Sequence, residues 1–178
     1  MEYRIEKDFL GEKKVPQSAY YGIQTLRAVE NFPITGVPVH SELIRALAHV
    51  KKAAAKANVA TKMLREPIAE AIVKAADEVA QGAFADQFIV DSIQGGAGTS
   101  INMNMNEVLA NRALELLGRA KGEYFYCSPN NHVNMSQSTN DTIPTAIRIA
   151  AYKLTQDLLA TLNRLQEAFG QKAVAFDD

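Results

Sequence analysis

The chain has 178 residues, 47% of them hydrophobic and 22% charged, which suits an ordinary globular protein large enough to bury one core. Its 19 basic and 20 acidic residues nearly cancel and leave no electrostatic footprint for nucleic acid or an anionic membrane, so neither partner is expected. No run reaches the roughly 18 apolar residues of a membrane helix, Met1–Asp8 lacks the apolar stretch of a signal peptide, and the single cysteine, Cys127, cannot form an internal disulfide, so a cytoplasmic location is expected.

Residues 1–19 mix charges with isolated apolar side chains and read as an extended arm with at most a short strand. Tyr20, Ile23, Leu26 and Val29 recur every three residues and predict a short helix from Ala19 to Asn31, stopped by Phe32-Pro33. A loop at Gly36-Val37-Pro38 follows. Ser41 is a candidate cap for the next helix, which should run to about Met63. Leu43, Ile44, Leu47 and Val50 mark its apolar stripe, with Lys51, Lys52 and Lys56 mainly off it.

A third helix should begin near Pro67 and stop at Gly82, burying Ile68, Ile72, Ala75, Ala76 and Val79. Phe88-Ile89-Val90 is too brief to classify. Ile101 to Asn106 alternates with period two, as in a strand, but Val108, Leu109, Leu114, Leu116 and Leu117 continue in a helical pattern. One helix from about Ser100 to Leu117 is therefore expected, ended by Gly118 and Gly122. Residues 119–137 read as a loop with polar turns at Ser128-Pro129-Asn130-Asn131.

Ile143, Ile147, Ala150, Leu154, Leu158, Leu162 and Leu165 then predict the longest helix, from about Thr142 past Ala168. Thirty such residues would span about 45 Å, more than one small domain needs, which suits a multi-helix bundle. The chain stops at Phe176-Asp177-Asp178 without a clear helix stop, which suggests truncation. The expected organisation is a mostly helical domain over residues 1–140 and, over residues 141–178, one helix of a larger bundle.

Two polar segments could carry chemistry. In Gly95-Gly96-Ala97-Gly98-Thr99-Ser100 the glycines permit close backbone approach and positive φ, and a helix starting there would aim free N–H groups at an anion. No Lys follows the last glycine, so this is not a Walker A loop, and the spacing is wrong for a Rossmann fingerprint. A glycine turn with a serine cap is the plain structural alternative. The second segment, His132 to Thr142, carries more hydroxyls and amides than one helix cap needs. Such groups donate well to carboxylate oxygens but are poor bases. His132 is a weak candidate base, and Cys127 reads as a small buried hydrophobe. His40 and His49 read as surface residues. No His, Cys or acidic pair has metal-ligand spacing, so no metal and no cofactor are expected.

Gln94 through Asn111 resembles the first signature region of the aspartase/fumarase superfamily. Ser136-Gln137-Ser138-Thr139-Asn140-Asp141 with Pro144-Thr145 resembles the start of its second region, and Tyr20 to Ala28 is similar to the family's leading helix. The resemblance spans nearly the whole chain. It implies a mainly α fold: the N-terminal helical domain of that superfamily plus the first long helix of its central bundle.

Ala97-Gly98-Thr99-Ser100 and Ser138-Thr139-Asn140-Asp141 favour the aspartase branch, since fumarases usually carry Gly-Ser-Gly-Thr-Gln and Ser-Ser-Asn-Asp at these places. Lys121-Gly122-Glu123-Tyr124 also looks aspartase-like. The implied reaction is anti elimination of ammonia from L-aspartate, through an aci-carboxylate, to give fumarate. By resemblance Thr99, Ser138 and Thr139 bind the β-carboxylate, and Asn140 with Thr99 contacts the amino group. The family's catalytic base is a serine in a loop ending Met-Pro-Gly-Lys-Val-Asn, and this chain contains no such segment. No catalytic residue is therefore assigned within it. Full-length members are homotetramers whose subunits share each active site, so this chain alone is expected to be inactive. A fumarate hydratase, or a non-catalytic helical assembly module, are the competing readings.

Overall fold

Long-range side-chain bonds fold the N-terminal arm back on itself. In the computed structural model, which describes residues 2–177, β1 (Tyr3–Asp8) and β2 (Gly11–Pro16) form an antiparallel hairpin with Tyr3 opposite Pro16 and Asp8 opposite Gly11. The sequence pattern predicts only an extended arm with a short strand at most, not a hairpin. The second strand is held by partners distant in sequence: the Arg4 guanidinium donates to the carbonyls of Pro16, Ala19 and Tyr21 at 2.8–2.9 Å. Arg27 pairs with Asp8 at 2.6 Å.

Helix α1 (Ile23–Asn31) starts later than its apolar spacing suggests. The carbonyl of Tyr20 accepts from Asn111 and that of Tyr21 from Arg4, so neither carbonyl is free to begin a helical ladder. Helix α2 (Ser41–Ala60) is capped by His40, whose Nδ1 accepts the Glu42 N–H at 3.2 Å, and Ser41 is its first helical residue rather than its cap. It ends before Met63 because Lys62 turns left-handed, at φ 62°, and the Asn58 carbonyl takes both the Met63 and Leu64 N–H groups. Helix α3 (Glu66–Ala80) has Pro67 in its first turn and buries Ile68, Ile72, Ala75, Ala76 and Val79 as expected.

Helix α4 (Thr99–Leu116) is the axis of the fold. It is one helix, and the period-two pattern at its start has a tertiary cause. The helix is surrounded, so Asn102, Asn104, Asn106 and Asn111 are buried beside Met105, Val108 and Leu109. Such a helix need not show one polar face where its buried amide nitrogens find acceptors, although Asn104 Oδ1 and Asn106 Oδ1 have no partner among the described residues. Asn104 donates to the Gln87 carbonyl and Asn111 to the Tyr20 carbonyl and the Tyr124 hydroxyl.

The segment from 117 to 138 is a loop containing one π-helical turn, Pro129–Val133. Cys127 is free and fully buried there, and burial pushes its thiol up to about 12. Helix α5 (Thr139–Ala175) packs its first turns, through Ile143, Ala146 and Ala150, on the shared core beside α2. From Ala151 onward it is exposed, and Leu154, Leu158, Leu162, Leu165 and Phe169 form an apolar stripe on it.

Candidate carboxylate site at two helix starts

The glycine loop is fastened before it reaches α4. The Asp91 carboxylate accepts from the Thr35 hydroxyl, from the Thr35 and Gly36 N–H groups and from the Ile93 N–H at 2.6–2.8 Å. These bonds, the Thr35 hydroxyl foremost, hold its pKa far below the usual carboxylate range. Gln94 then spans the loop. Its amide donates to the Asp91 carbonyl at 2.8 Å and its Oε1 accepts the Ile101 N–H at 2.7 Å.

Two glycines are sterically required. A Cβ on Gly95 would lie 2.3 Å from the Phe32 ring, and one on Gly98 would lie 2.9 Å from Ile143 Cγ2 in α5. Gly98 also sits at φ 91°, in the left-handed region. It precedes α4 and has no side chain to cap it, so the first turn of that helix is capped from the loop, by Gln94 Oε1 on the Ile101 N–H.

The second segment ends in a capping box. Ser138 Oγ accepts the Asn140 N–H at 3.2 Å, and the Asp141 carboxylate accepts the Ser138 N–H at 3.1–3.2 Å. Ser138 therefore has a structural duty, yet its hydroxyl proton remains available. His132 Nδ1 accepts the Ser128 N–H at 2.8 Å, and burial together with Arg65 lowers its pKa. It holds the turn, which argues against a proton-transfer role.

The two segments meet. Asn102, one turn after Thr99 on α4, donates to Thr139 Oγ1 at 3.1 Å. Thr99, Ser138 and Asn140 are exposed and Thr139 is half-buried. Gly96, Ala97 and Gly98 face a separate open groove of about 840 Å3, with Leu43, Ile143 and Ile147, that excludes the four predicted ligand residues.

Behind this contact lies a group that the sequence reading placed off the apolar face. Lys51 is 0% exposed, and its Nζ donates to Asn134 Oδ1 at 2.8 Å. Burial pushes its amine down to about 7, with Asp141 acting in the opposite sense. Asn102 and Asn106 also donate to Asn134 Oδ1, each at 3.3 Å. The signal was present: Ile44, Leu47 and Lys51 follow at steps of three and four, which puts the lysine on the buried stripe. Asn102 and Asn134 had no such signal, because each resembles an ordinary polar residue until its neighbour is known.

A glycine loop entering one buried helix and a Ser-Thr-Asn cap opening a second helix, joined by the Asn102–Thr139 hydrogen bond, are set in a mainly helical body. The chain belongs to the aspartase/fumarase superfamily: the family model described as Lyase matches residues 11–178. An aspartate ammonia-lyase of Bacillus subtilis (strain 168) is 63% identical over 99% of this chain. The chain spans about 37% of the length of that relative. The fold matches the crystal structure of a fumarate lyase:delta crystallin from Brucella melitensis with TM-score 0.96 and 53% identity, over 99% of this chain and 41% of that one. A class II fumarase from Schistosoma mansoni is more distant, with TM-score 0.77 and 37% identity over 84% of this chain and 32% of its own.

Proposed function

We propose that the chain forms the carboxylate-binding wall of an aspartate ammonia-lyase, which converts L-aspartate to fumarate and ammonia. The observation that carries this reading is the Asn102–Thr139 hydrogen bond, which ties the first turns of α4, just after the glycine loop, to the Ser138-Thr139-Asn140 cap. Loss of a proton from Cβ of aspartate puts a second negative charge on the β-carboxylate. Thr99, Ser138 and Thr139 donate to its oxygens, with two helix N-termini behind them, and Asn140 with Thr99 receives the amino group. Donors fixed before reaction stabilise such charge, each by about 3–4 kcal/mol. The proton itself is taken by a serine from the part of the relatives that this chain does not span.

The site residues are open to one side, which fits a site shared between subunits. Residues 1–140 act as the site-bearing domain, and residues 141–178 as one helix of a central bundle. The apolar stripe from Leu154 to Phe169 is the seam on which a cytoplasmic homotetramer assembles.

Two measurements test the reading. Alone, the chain produces no fumarate from L-aspartate by ultraviolet absorbance, and turnover would refute the shared site. Mixed with the B. subtilis relative lacking its matching 37%, it restores fumarate production from L-aspartate. Restoration on L-malate instead would favour a fumarate hydratase. A stable but silent complex would favour an assembly module.

A further inference from the structure

Deepening the reading above, we infer that Asn102 is a positioning residue that commits the Thr139 hydroxyl to donate its proton to a bound carboxylate. The orientation follows from a chain of obligate partners. Asn134 Nδ2 donates to the Gln137 carbonyl at 3.1 Å, and a carbonyl can only accept. That fixes Asn134 with Oδ1 turned toward Lys51, whose Nζ donates to it at 2.8 Å. An oxygen there, 3.3 Å from Asn102, requires Asn102 to present its amide nitrogen.

The same nitrogen carries a second hydrogen, which goes to Thr139 Oγ1 at 3.1 Å. The Thr139 oxygen is thus an acceptor toward the protein. Its own proton has no acceptor among the described residues and is left for the open side. A hydroxyl free to rotate could instead turn a lone pair toward an incoming anion. Asn102 is 2% exposed, Lys51 0%, and neither reaches the open face. They act on the ligand through Thr139.

A carboxylate at residue 102 would reverse the polarity, because it must accept from Thr139 and draw the hydroxyl proton inward. The same change turns an oxygen toward Asn134 Oδ1 and removes one of that atom's three donors. The test uses the isotope-labelled 178-residue chain titrated with fumarate and followed by NMR. Fumarate shifts the amides of Thr99 and Ser138–Asn140 in the wild-type chain. Asn102→Asp and Thr139→Val each weaken binding about tenfold, the scale of one hydrogen bond to a charged group. The double variant is no weaker than Thr139→Val alone, as two changes to one interaction require.

If Asn102→Asp weakens binding equally in the Thr139→Val background, its added charge is the cause and the inference fails. Should Asn102→Asp melt the chain, Asn102→Ala, which deletes the donor, enters the same cycle. A ligand-free arm reads the three-bond couplings that report χ1 of Thr139. They show one rotamer in the wild type and averaging in Asn102→Ala. A fixed rotamer in Asn102→Ala overturns the positioning role alone. A wild-type chain that fumarate does not perturb overturns the carboxylate site itself.

Discussion

The Thr25 hydroxyl donates to Glu107 Oε2 at 2.6 Å, joining the first turn of α1 to the middle of α4 across 82 positions of sequence. The same carboxylate accepts the N–H groups of Gly22 and Gln24 at 2.8 Å and of Thr25 at 3.1 Å. These N–H groups are the ones the start of a helix leaves unpaired. A neighbouring carboxylate, Glu6, takes the Ile23 N–H at 2.9 Å and the Tyr124 hydroxyl at 3.0 Å. Helix α1 is therefore capped by tertiary structure. Gly22 must stay small, since a Cβ there would lie 2.7 Å from Glu6 Oε2.

Glu107→Gln should destabilise the chain by about 2–3 kcal/mol, because an amide NH2 would replace one oxygen that faces donors only. Urea denaturation measures the loss. A change below ~0.5 kcal/mol would mean that α1 is held by Glu6 and packing alone.

Lys51 predicts a pH signature. Its folded pKa is depressed to about 7 by burial, below the roughly 10.4 of the unfolded chain. Between these values the unfolded state binds more protons, so the Lys51 contribution to stability rises with pH. The stability of wild type minus that of Lys51→Met should therefore increase from pH 7 to pH 10, by up to about 4 kcal/mol. Subtracting the variant removes the contributions of other groups that titrate in this range. A flat or falling difference would mean that Lys51 keeps an ordinary pKa.

Gly98→Ala combines a left-handed φ with a clash against Ile143, and should cost about 2–3 kcal/mol. Adding Ile143→Ala to this variant should cost less than Ile143→Ala does in the wild type, because it relieves the clash. Strict additivity of the two losses would show that the loop moves away from α5 instead.

Ser138→Asp separates the two duties of that residue. Aspartate caps a helix as well as serine does, so thermal stability should change by no more than about 0.5 kcal/mol. The added charge should abolish the fumarate-induced shifts at Thr139 and Asn140. Undiminished shifts would remove Ser138 from the anion site.

The sequence by itself determined the helical class, the approximate spans of α2 to α5, and the two polar segments. Each was legible because its cause is local. Apolar spacing marks α3, glycine marks the left-handed turn at Gly98, and Ser138 with Asp141 marks the start of α5. Tertiary structure decided what depends on partners far along the chain. The hairpin closes because Arg4 finds three carbonyls. Helix α1 begins at Ile23 because Glu6 and Glu107 supply its cap. The Asn102–Asn134–Lys51 chain exists because α2, α4 and the loop before α5 converge. A buried amide or ammonium looks like any surface polar residue in sequence, and only the acceptor opposite it shows that it is placed to orient Thr139.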